Sequence, residues 1–444
     1  MARSRRLSRF SRVSTGGVQA FTLHLLGWTA LDAINRKGAD HIPSFRSLTV
    51  DALGSVRASV AVEVVVATGC FGTACSLLLV IGELCPQLAR ALGVPSQHGW
   101  LLSRGLWVTL VGVGFDLPLF WQSSLDGLRC FSAVGNMAVI AVAAVTCAFA
   151  TGALPAPPPE PSAAPLTPLV SSSMLDDLGR LESISLYIFS FSCAFNVPVA
   201  VAELRQPSLP RINTAIGSSI LLVAVLYALV AWSGSATFGA GVSADLLASL
   251  PTGSLLEGCT RQLLVATLAR FCMVLNVAAS VPLLLHPTRA SISQAAFGVP
   301  AVTLSSGRWA ALSLTIFACS WAVAVSVRSL DLVMGMVGAL TGVPIGFTFP
   351  CLLYVRMEEA ARAKRMPGER TLSIGEVDEQ GALEHREGAH LVTRYAAFQS
   401  DEAVFPRRAR IAGARVVGAC SLLLLPMLVA AQCVKLAQSL HSSD

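Results

Sequence analysis

The sequence alternates between long apolar segments and short polar connections. A helix needs about 20 mostly apolar residues to cross a bilayer, and most of the segments are long enough. The pattern therefore predicts an all-α, multi-pass integral membrane helical bundle with about 9–10 transmembrane helices. The first segment is the weakest, because it has few apolar residues and contains His24 and Asp32. The apolar segments are 16–33, 58–84, 104–121, 131–152, 183–204, 213–235, 261–285, 308–327, 331–355 and 411–435.

The stretch 184–207 departs from a plain apolar helix. Polar side chains cluster near its middle, and Pro198 adds a position without a backbone N–H. In a bilayer these groups must pair with other helices, water or a ligand. The pattern therefore predicts a membrane helix that is interrupted near its middle and lines a substrate site. The polar residues are Ser190, Ser192, Cys193 and Asn196.

Several motifs resemble those of the amino acid/auxin permease family. From Phe189 the chain reads F-x-F-x-C, then reaches Pro198 and E-L-R-x-P at 203–207. The resemblance implies a proton- or sodium-coupled amino acid transporter with a LeuT-like (APC-type) arrangement. Further matching pieces are SFRSL at 44–48, LPLFWQSSLDGLRCFSA at 117–133, FGAGVSADLLASLP at 238–251 and R-x(11)-P-x(3)-H-P-x-R at 270–289.

The resemblance also implies where the substrate binds. In LeuT-like transporters the substrate lies near the midplane between two broken helices, the first and the sixth. The stretch 184–207 matches the sixth, although many animal members have His where this chain has Ala194. Packing between helices is the alternative role for such polar positions. The implied substrate-binding residues are Phe191, Ser192, Cys193, Ala194 and Asn196.

Asn276 and Ser280 are the candidate ion-coupling residues. The resemblance places them on the eighth helix near a sodium site, and their spacing of four puts them on one face. A proton or a sodium ion is the possible coupling ion, and no cofactor or bound metal is otherwise expected. Arg270, on the same segment, is expected to pair with a carboxylate or with carbonyls rather than with substrate.

Two carboxylates and a row of glycines also lie inside apolar segments. Glu63 and Asp116 are either proton-relay groups or structural groups that pair with Arg270 or lie near the interface. Gly338, Gly342 and Gly346 are four residues apart, and we expect them to let a neighbouring helix approach closely.

The start of the chain conflicts with the family pattern. Residues 1–15 contain five Arg and no acidic residue, which fits a cytoplasmic basic arm or an organelle transit peptide. We favour the arm, because no soluble domain follows it. The Gly-rich first helix of the family has no match here and is expected to be absent. The chain is then either a truncated version of a longer one, or 16–33 is a remnant lying along the membrane.

Charge predicts the topology. The connections 34–57, 122–130, 205–212, 286–308 and 356–410 contain about twenty Lys and Arg, so they are predicted to be cytoplasmic. The Pro-rich loop 153–168 then lies on the opposite side, and the long polar loop 356–410 is a cytoplasmic segment. We expect one transmembrane domain over 16–435, after the arm 1–15 and before a short tail, 436–444.

Composition excludes other classes of protein. Hydrophobic residues make up 54% of the chain and charged residues 13%, against about 25% charged in soluble proteins. The net charge of +6 is not clustered, so no nucleic acid is expected as a partner. The resemblance implies an amino acid substrate, and the apolar segments imply contact with the lipid bilayer. The twelve Cys form no CxxC pair, and nucleotide-binding and hydrolase motifs are missing.

The sequence therefore predicts a secondary amino acid transporter, not an enzyme, that works by alternating access. It would lie in the plasma membrane or in an internal, vacuole- or lysosome-like membrane. A transport-incompetent membrane sensor or scaffold that keeps the helices is the alternative.

Overall fold

The structure, a computed structural model, is helical throughout its described secondary structure. The described residues are 2–38, 42–95, 97–122, 129–155, 181, 183–239, 245–256, 258, 260–365 and 406–441. Numbered in chain order, the α-helices are α1 (Ala2–Lys37), α2 (Phe45–Leu53), α3 (Val56–Ala91), α4 (Arg104–Val111), α5 (Leu117–Trp121), α6 (Arg129–Ala150), α7 (Val197–Glu203), α8 (Leu209–Phe238), α9 (Arg261–Phe297), α10 (Ser306–Ser326), α11 (Leu330–Val337), α12 (Phe349–Arg365) and α13 (Arg407–His441).

Short segments of other helical types link some of these helices. A π-helical turn, Gly112–Asp116, joins α4 to α5, so 104–121 is helical throughout. Two further π-helical turns, Gly338–Gly342 and Pro344–Thr348, join α11 to α12. Each π turn inserts a residue relative to an α-helix, and such insertions are often found at functional sites.

The prediction of an all-α, multi-pass membrane protein is confirmed. Seven helical segments in the described part of the chain are long and apolar enough to cross a membrane. All ten predicted apolar segments are mainly helical where they are described, with an interruption inside 183–204. Those outside the seven lie in α1, in α4 to α5, and in α6, whose apolar part is 135–150. The LeuT-like arrangement stays a prediction.

The chain forms two compact units, with α3, α8 and α13 contributing residues to both. Unit 1 comprises 1–63, 190–220 and 342–427, and unit 2 comprises 64–189, 221–341 and 428–444.

The core of unit 1 is built around α1, which contacts α2, α7, α12 and the π turn at 344–348. The rings of Trp28 and Tyr354 meet edge to face, with 5.1 Å between their centroids. The guanidinium of Arg410 lies 5.8 Å from the Trp28 ring centroid and 5.7 Å from that of Tyr354, which gives two cation–π contacts. Apolar residues of α7, α8 and α13 complete this core.

The core of unit 2 is built around α9, which packs along α6. Apolar side chains from α3, α9 and α10 form its largest cluster. Arg289 lies inside this unit, where it donates to the Phe120 carbonyl at 3.1 Å and stacks over the Trp309 ring at 4.3 Å. The π turn Gly112–Asp116 contacts α9 between the neighbouring helices α4 and α5.

One of the two alternatives for 16–33, a remnant lying along the membrane, is wrong. Residues 22–34 of α1 are all buried, whereas a helix at a membrane surface keeps one polar face in water. Several polar side chains of this stretch bond within unit 1: Thr22 and Thr29 donate to carbonyls of their own helix, and His24 bonds Asn213 at 2.6 Å. The segment is therefore an interior helix of unit 1.

Close approach at the predicted glycines is confirmed at two positions. A Cβ on Gly338 would overlap the Ser185 carbonyl oxygen in unit 2. A Cβ on Gly346 would stand 3.0 Å from the Gln19 side chain in unit 1. Position 338 therefore needs a residue without a side chain, whereas a side chain at position 346 would require the Gln19 side chain to shift.

The long connections fall largely outside the described residues. These include most of the Pro-rich loop 153–168 and residues 366–405 of the predicted loop 356–410. That loop is shorter than predicted, because α12 continues to Arg365 and α13 begins at Arg407. The predicted arm 1–15 is helical from Ala2 as the start of α1, and the tail is helical as far as His441.

Candidate functional site

The predicted interruption of the helix in 184–207 is confirmed. The helix at 183–190 ends in a turn at Phe191, and Ser192 and Cys193 are not helical. A 3₁₀ turn, Ala194–Asn196, follows and leads into α7. The i to i−4 ladder is replaced by hydrogen bonds between residues closer in sequence. The Cys193 N–H donates to the Phe191 carbonyl at 3.0 Å, and the Asn196 N–H donates to the Cys193 carbonyl at 3.2 Å.

Pro198 explains where the regular helix resumes. It lies in the first turn of α7, where its missing N–H leaves no bond unmade. The break is therefore built into the local sequence. Polar side chains lie on its N-terminal side and a proline begins the next helix.

The break is surrounded by two other elements of unit 1. The 3₁₀ turn packs against the π turn Pro344–Thr348, and α7 packs against α1. A Cβ on Gly16 of α1 would stand 3.7 Å from the Phe191 ring. An interrupted helix, a π turn and the N-terminal half of α1 therefore meet at one place.

Gln19 of α1 lies against the π turn beside the helix break, and it was not among the residues predicted from the sequence. Its side chain is fully buried, and neither its amide oxygen nor its amide nitrogen has a hydrogen-bond partner within the described part of the chain. It points at Gly346 of the π turn. An unpaired buried amide costs about 1–3 kcal/mol, so it indicates a place where a polar ligand could bind.

A signal for Gln19 was present in the sequence. It is an uncharged amide in the apolar run of 16–33, a segment in which only His24 and Asp32 were singled out. Because that segment was the weakest candidate span and its status was left open, its amide had no obvious role.

The five predicted substrate-binding residues are together at the break but differ in burial. Phe191 and Ala194 are buried and Ser192 is half-buried. Cys193 and Asn196 are exposed. The buried residues face the interior of unit 1, so the break offers both an interior face and an open face.

The family model described as transmembrane amino acid transporter protein matches residues 8–371. The chain belongs to the transmembrane amino acid transporter family. It is therefore a multi-pass integral membrane protein, and its family consists of transporters rather than enzymes.

The relatives of this transporter family member are distant. Vacuolar amino acid transporter 5 of Schizosaccharomyces pombe is 28% identical over 65% of this chain and 64% of its own length. Vacuolar amino acid transporter 6 of Saccharomyces cerevisiae is 27% identical over 59% of this chain and 55% of its own length. Vacuolar amino acid transporter 5 of the same yeast is 23% identical over 53% of this chain. The chain spans only 50–64% of the length of these relatives.

The two predicted ion-coupling residues of this family member lie on α9 in unit 2. The Ser280 hydroxyl donates to the Asn276 carbonyl at 2.7 Å, so its hydrogen is used within the helix. The Asn276 side chain faces α6 so closely that a Cβ on Gly135 would overlap its amide oxygen. Both residues are half-buried. This geometry gives Asn276 a packing role, and a role in sodium binding stays a prediction.

The expectation for Arg270 is confirmed. The side chain is buried and donates to the carbonyls of Leu247 at 2.9 Å, Leu250 at 2.8 Å and Pro251 at 3.0 Å. These carbonyls belong to the 3₁₀ turn Leu246–Ser249 and the residues after it. Arg270 therefore anchors the connection between α8 and α9.

The two carboxylates in apolar segments are both buried. Glu63 is buried on α3. Asp116 is fully buried at the end of the π turn, and neither of its oxygens has a hydrogen-bond partner among the described residues. The pairing of Asp116 with Arg270, one of the expected alternatives, is therefore wrong.

Proposed function

We propose that this chain is a secondary amino acid transporter and that it binds its amino acid substrate at the helix break Phe191–Asn196. Alternating access and coupling to a proton or sodium gradient are part of the proposal. The observation that supports it best is the meeting of a broken membrane helix with the unpaired, fully buried amide of Gln19 in unit 1. Membership of an amino acid transporter family supports the substrate class.

The chemistry of the site suits an amino acid. An amide has a carbonyl oxygen that accepts from an ammonium group and an NH₂ group that donates to a carboxylate. Gln19 can therefore bond either charged end of a zwitterion without adding a buried charge. Phe191 and Ala194 supply apolar surface beside it for a side chain.

The proposal also covers the membrane in which the chain lies. The yeast relatives named above are vacuolar proteins by name. An internal, vacuole-like membrane is therefore the first place to look for the chain, with the plasma membrane as the second.

The test uses the full chain, purified and reconstituted in liposomes. Uptake of each radiolabelled amino acid is measured, together with the thermal stabilisation that each one gives to the detergent-solubilised protein. A ligand at about one hundred times its Kd should stabilise the folded state by about 2.7 kcal/mol. Gln19→Leu should abolish both responses to the amino acid that the unmodified chain accepts.

The chain offers a matched control. Gln432 in unit 2 is also fully buried with an unpaired amide, and it lies against Gly335 rather than the helix break. Gln432→Leu should leave uptake and stabilisation intact. Equal loss in both variants, or normal uptake by Gln19→Leu, would contradict the proposed site. Stabilisation by an amino acid without uptake would favour the sensor alternative.

A further inference from the structure

Asp116 lies in an unusual backbone setting. It is the last residue of the π turn Gly112–Asp116, inside the otherwise apolar helical run 104–121 of unit 2. Its side chain is fully buried. Phe115 and Leu117, its neighbours in sequence, pack into the largest apolar cluster of the unit.

Among the described residues, no polar or charged group pairs with the Asp116 carboxyl group. Neither oxygen has a hydrogen-bond partner, and the described ion pairs do not include it. Asp116 therefore differs from Arg270, whose guanidinium has three carbonyl partners.

The titratable groups of the surrounding helices are engaged elsewhere or make no bond to Asp116. Arg104 of α4 donates to the carbonyls of Ala324 and Arg328. His286 and Arg289 of α9 bond each other at 2.8 Å, and α5 has no titratable side chain. The remaining titratable residues on the unit 2 part of α3 and on α9 and α10 are Cys70, Cys75, Glu83, Cys85, Arg90, Arg261, Cys272, Arg308 and Cys319.

An ionised carboxylate in this setting would be very costly. Removing a charge from water without a partner costs several kcal/mol even after the protein relaxes. The neutral acid costs much less, because only a polar group is buried. A sodium ion at this position would need several oxygen ligands, because it is a hard cation, and the adjacent Phe115 and Leu117 side chains are apolar.

We propose that Asp116 is a proton-binding site and that the coupling ion of this transporter is a proton held there. In the conformation described, the carboxyl is neutral and holds one proton. In a conformation that admits water to the π turn, the O–H bond breaks and leaves a hydrated carboxylate, and the proton passes to that water. This inference rests on the proposed transport function and specifies its coupling ion.

The π turn provides a reason why the site can change state. It disrupts the regular α-helical ladder beside Asp116, and π turns of this kind are frequent at functional sites. The same turn approaches α10 closely at Gly112, where a Cβ would lie 3.3 Å from the Phe317 ring. A small movement of α10 can therefore alter the packing around the turn.

The first measurement is independent of transport. Infrared spectroscopy of the purified full chain in heavy water should show the carbonyl stretch of a protonated, dehydrated carboxyl group at neutral pH. Asp116→Asn should remove that band and, because Asn mimics the neutral acid, should keep the thermal stability of the unmodified chain. Asp331→Asn is the control, since Asp331 pairs with Lys435 at 3.3 Å and should not contribute to the band. A band unchanged in Asp116→Asn would overturn the proton site.

The second measurement tests coupling in liposomes with an imposed pH gradient. If one proton moves with each substrate molecule, a gradient of one pH unit should give about tenfold accumulation of substrate at equilibrium. Asp116→Asn should lose this accumulation and the substrate-driven proton flux while retaining exchange of labelled for unlabelled amino acid. Asp331→Asn should retain the accumulation, the proton flux and the exchange.

The two proposals fail in different ways. Normal accumulation by Asp116→Asn would overturn the coupling role, even if the infrared band is lost. Sodium-driven accumulation by the unmodified chain, without proton flux, would overturn the choice of ion. If the unmodified chain neither binds nor moves any amino acid, the proposed function fails, and the infrared band still decides whether Asp116 binds a proton.

Discussion

Gln19 and Gly346 are in contact across unit 1: a Cβ built on Gly346 would stand 3.0 Å from the amide oxygen of Gln19. That separation is tighter than ordinary van der Waals contact, so any side chain at position 346 must push the amide away. Glycine in the π turn therefore leaves room for the Gln19 amide at this position. The relationship links the candidate ligand group on α1 to the turn beside the helix break.

Gly346→Ala should impair transport more than folding. The added methyl group displaces the Gln19 amide by a few tenths of an ångström, so KM for the substrate should rise while the fold is kept. Gly217→Ala is the control, because a Cβ there meets nothing within 4 Å. It should leave KM unchanged and, as an exposed helix position, gain up to about 1 kcal/mol of stability. Equal kinetics in the two variants would show that position 346 does not position the amide.

Ser192→Leu and Asn196→Leu should each reduce amino acid uptake strongly at normal surface expression. Each change removes a polar group at the break and adds apolar bulk where substrate would bind. The fold should survive, because one lost interhelical hydrogen bond in a membrane costs only about 0.6–2 kcal/mol. Unchanged uptake kinetics in both variants would exclude the break from the site.

Ala194→His should be destabilising. The change introduces the residue that many animal members have at this position. Ala194 is fully buried, however, and its turn packs against the π turn at 344–348. Overpacking a filled interior costs about 1–3 kcal/mol, so thermal unfolding should shift downward together with uptake. A stable, active Ala194→His variant would contradict the packing described for this turn.

Arg270→Lys should destabilise the chain although it keeps the charge. One ammonium group cannot reproduce the fork of donors that binds three carbonyls, and each buried acceptor left unpaired costs about 1–3 kcal/mol. Thermal unfolding in detergent should show a marked decrease. Arg308→Lys, at an exposed position, should show none. The same unfolding temperature for both variants would contradict the anchoring role.

Asp245 should make stability depend on pH. Burial raises the pKa of this loop carboxyl, although the Leu247 N–H at 3.0 Å and the charge of Arg270 lower it. Below the unfolded-state pKa of about 3.9 the group is protonated in both states and the stabilising contribution is fully present. The contribution is lost as pH rises through the raised folded-state pKa.

Asp245→Asn keeps an acceptor for the Leu247 N–H and removes the ionisation. The variant should therefore unfold at a higher temperature than the unmodified chain at neutral pH, and the difference should disappear in acid. Unfolding temperatures are compared across that pH range, with Asp331→Asn as a carboxylate control in an ion pair. Parallel curves for the Asp245→Asn variant and the unmodified chain would contradict the prediction.

The sequence by itself determined the features that depend on local chemistry. Apolar runs of about 20 residues specify membrane helices, because a bilayer leaves few other ways to satisfy the backbone. The break at 191–196 was likewise predictable, since polar side chains cluster before Pro198 and the proline cannot continue an α-helical ladder. The close approach at Gly338 and Gly346 followed from their spacing.

Only the tertiary structure decided which polar groups in these helices find partners. Arg270, Asp116 and Gln19 all appear in sequence as polar residues within apolar segments. Arg270 binds carbonyls about twenty residues away in the chain, whereas Asp116 and the Gln19 amide are buried with no partner among the described residues. The local sequence pattern could not predict that α1 is buried, because its burial depends on packing against α7 and α12, which are distant in sequence. Hydrogen bonds and burial of this kind are made between segments far apart along the chain, and no single segment encodes them.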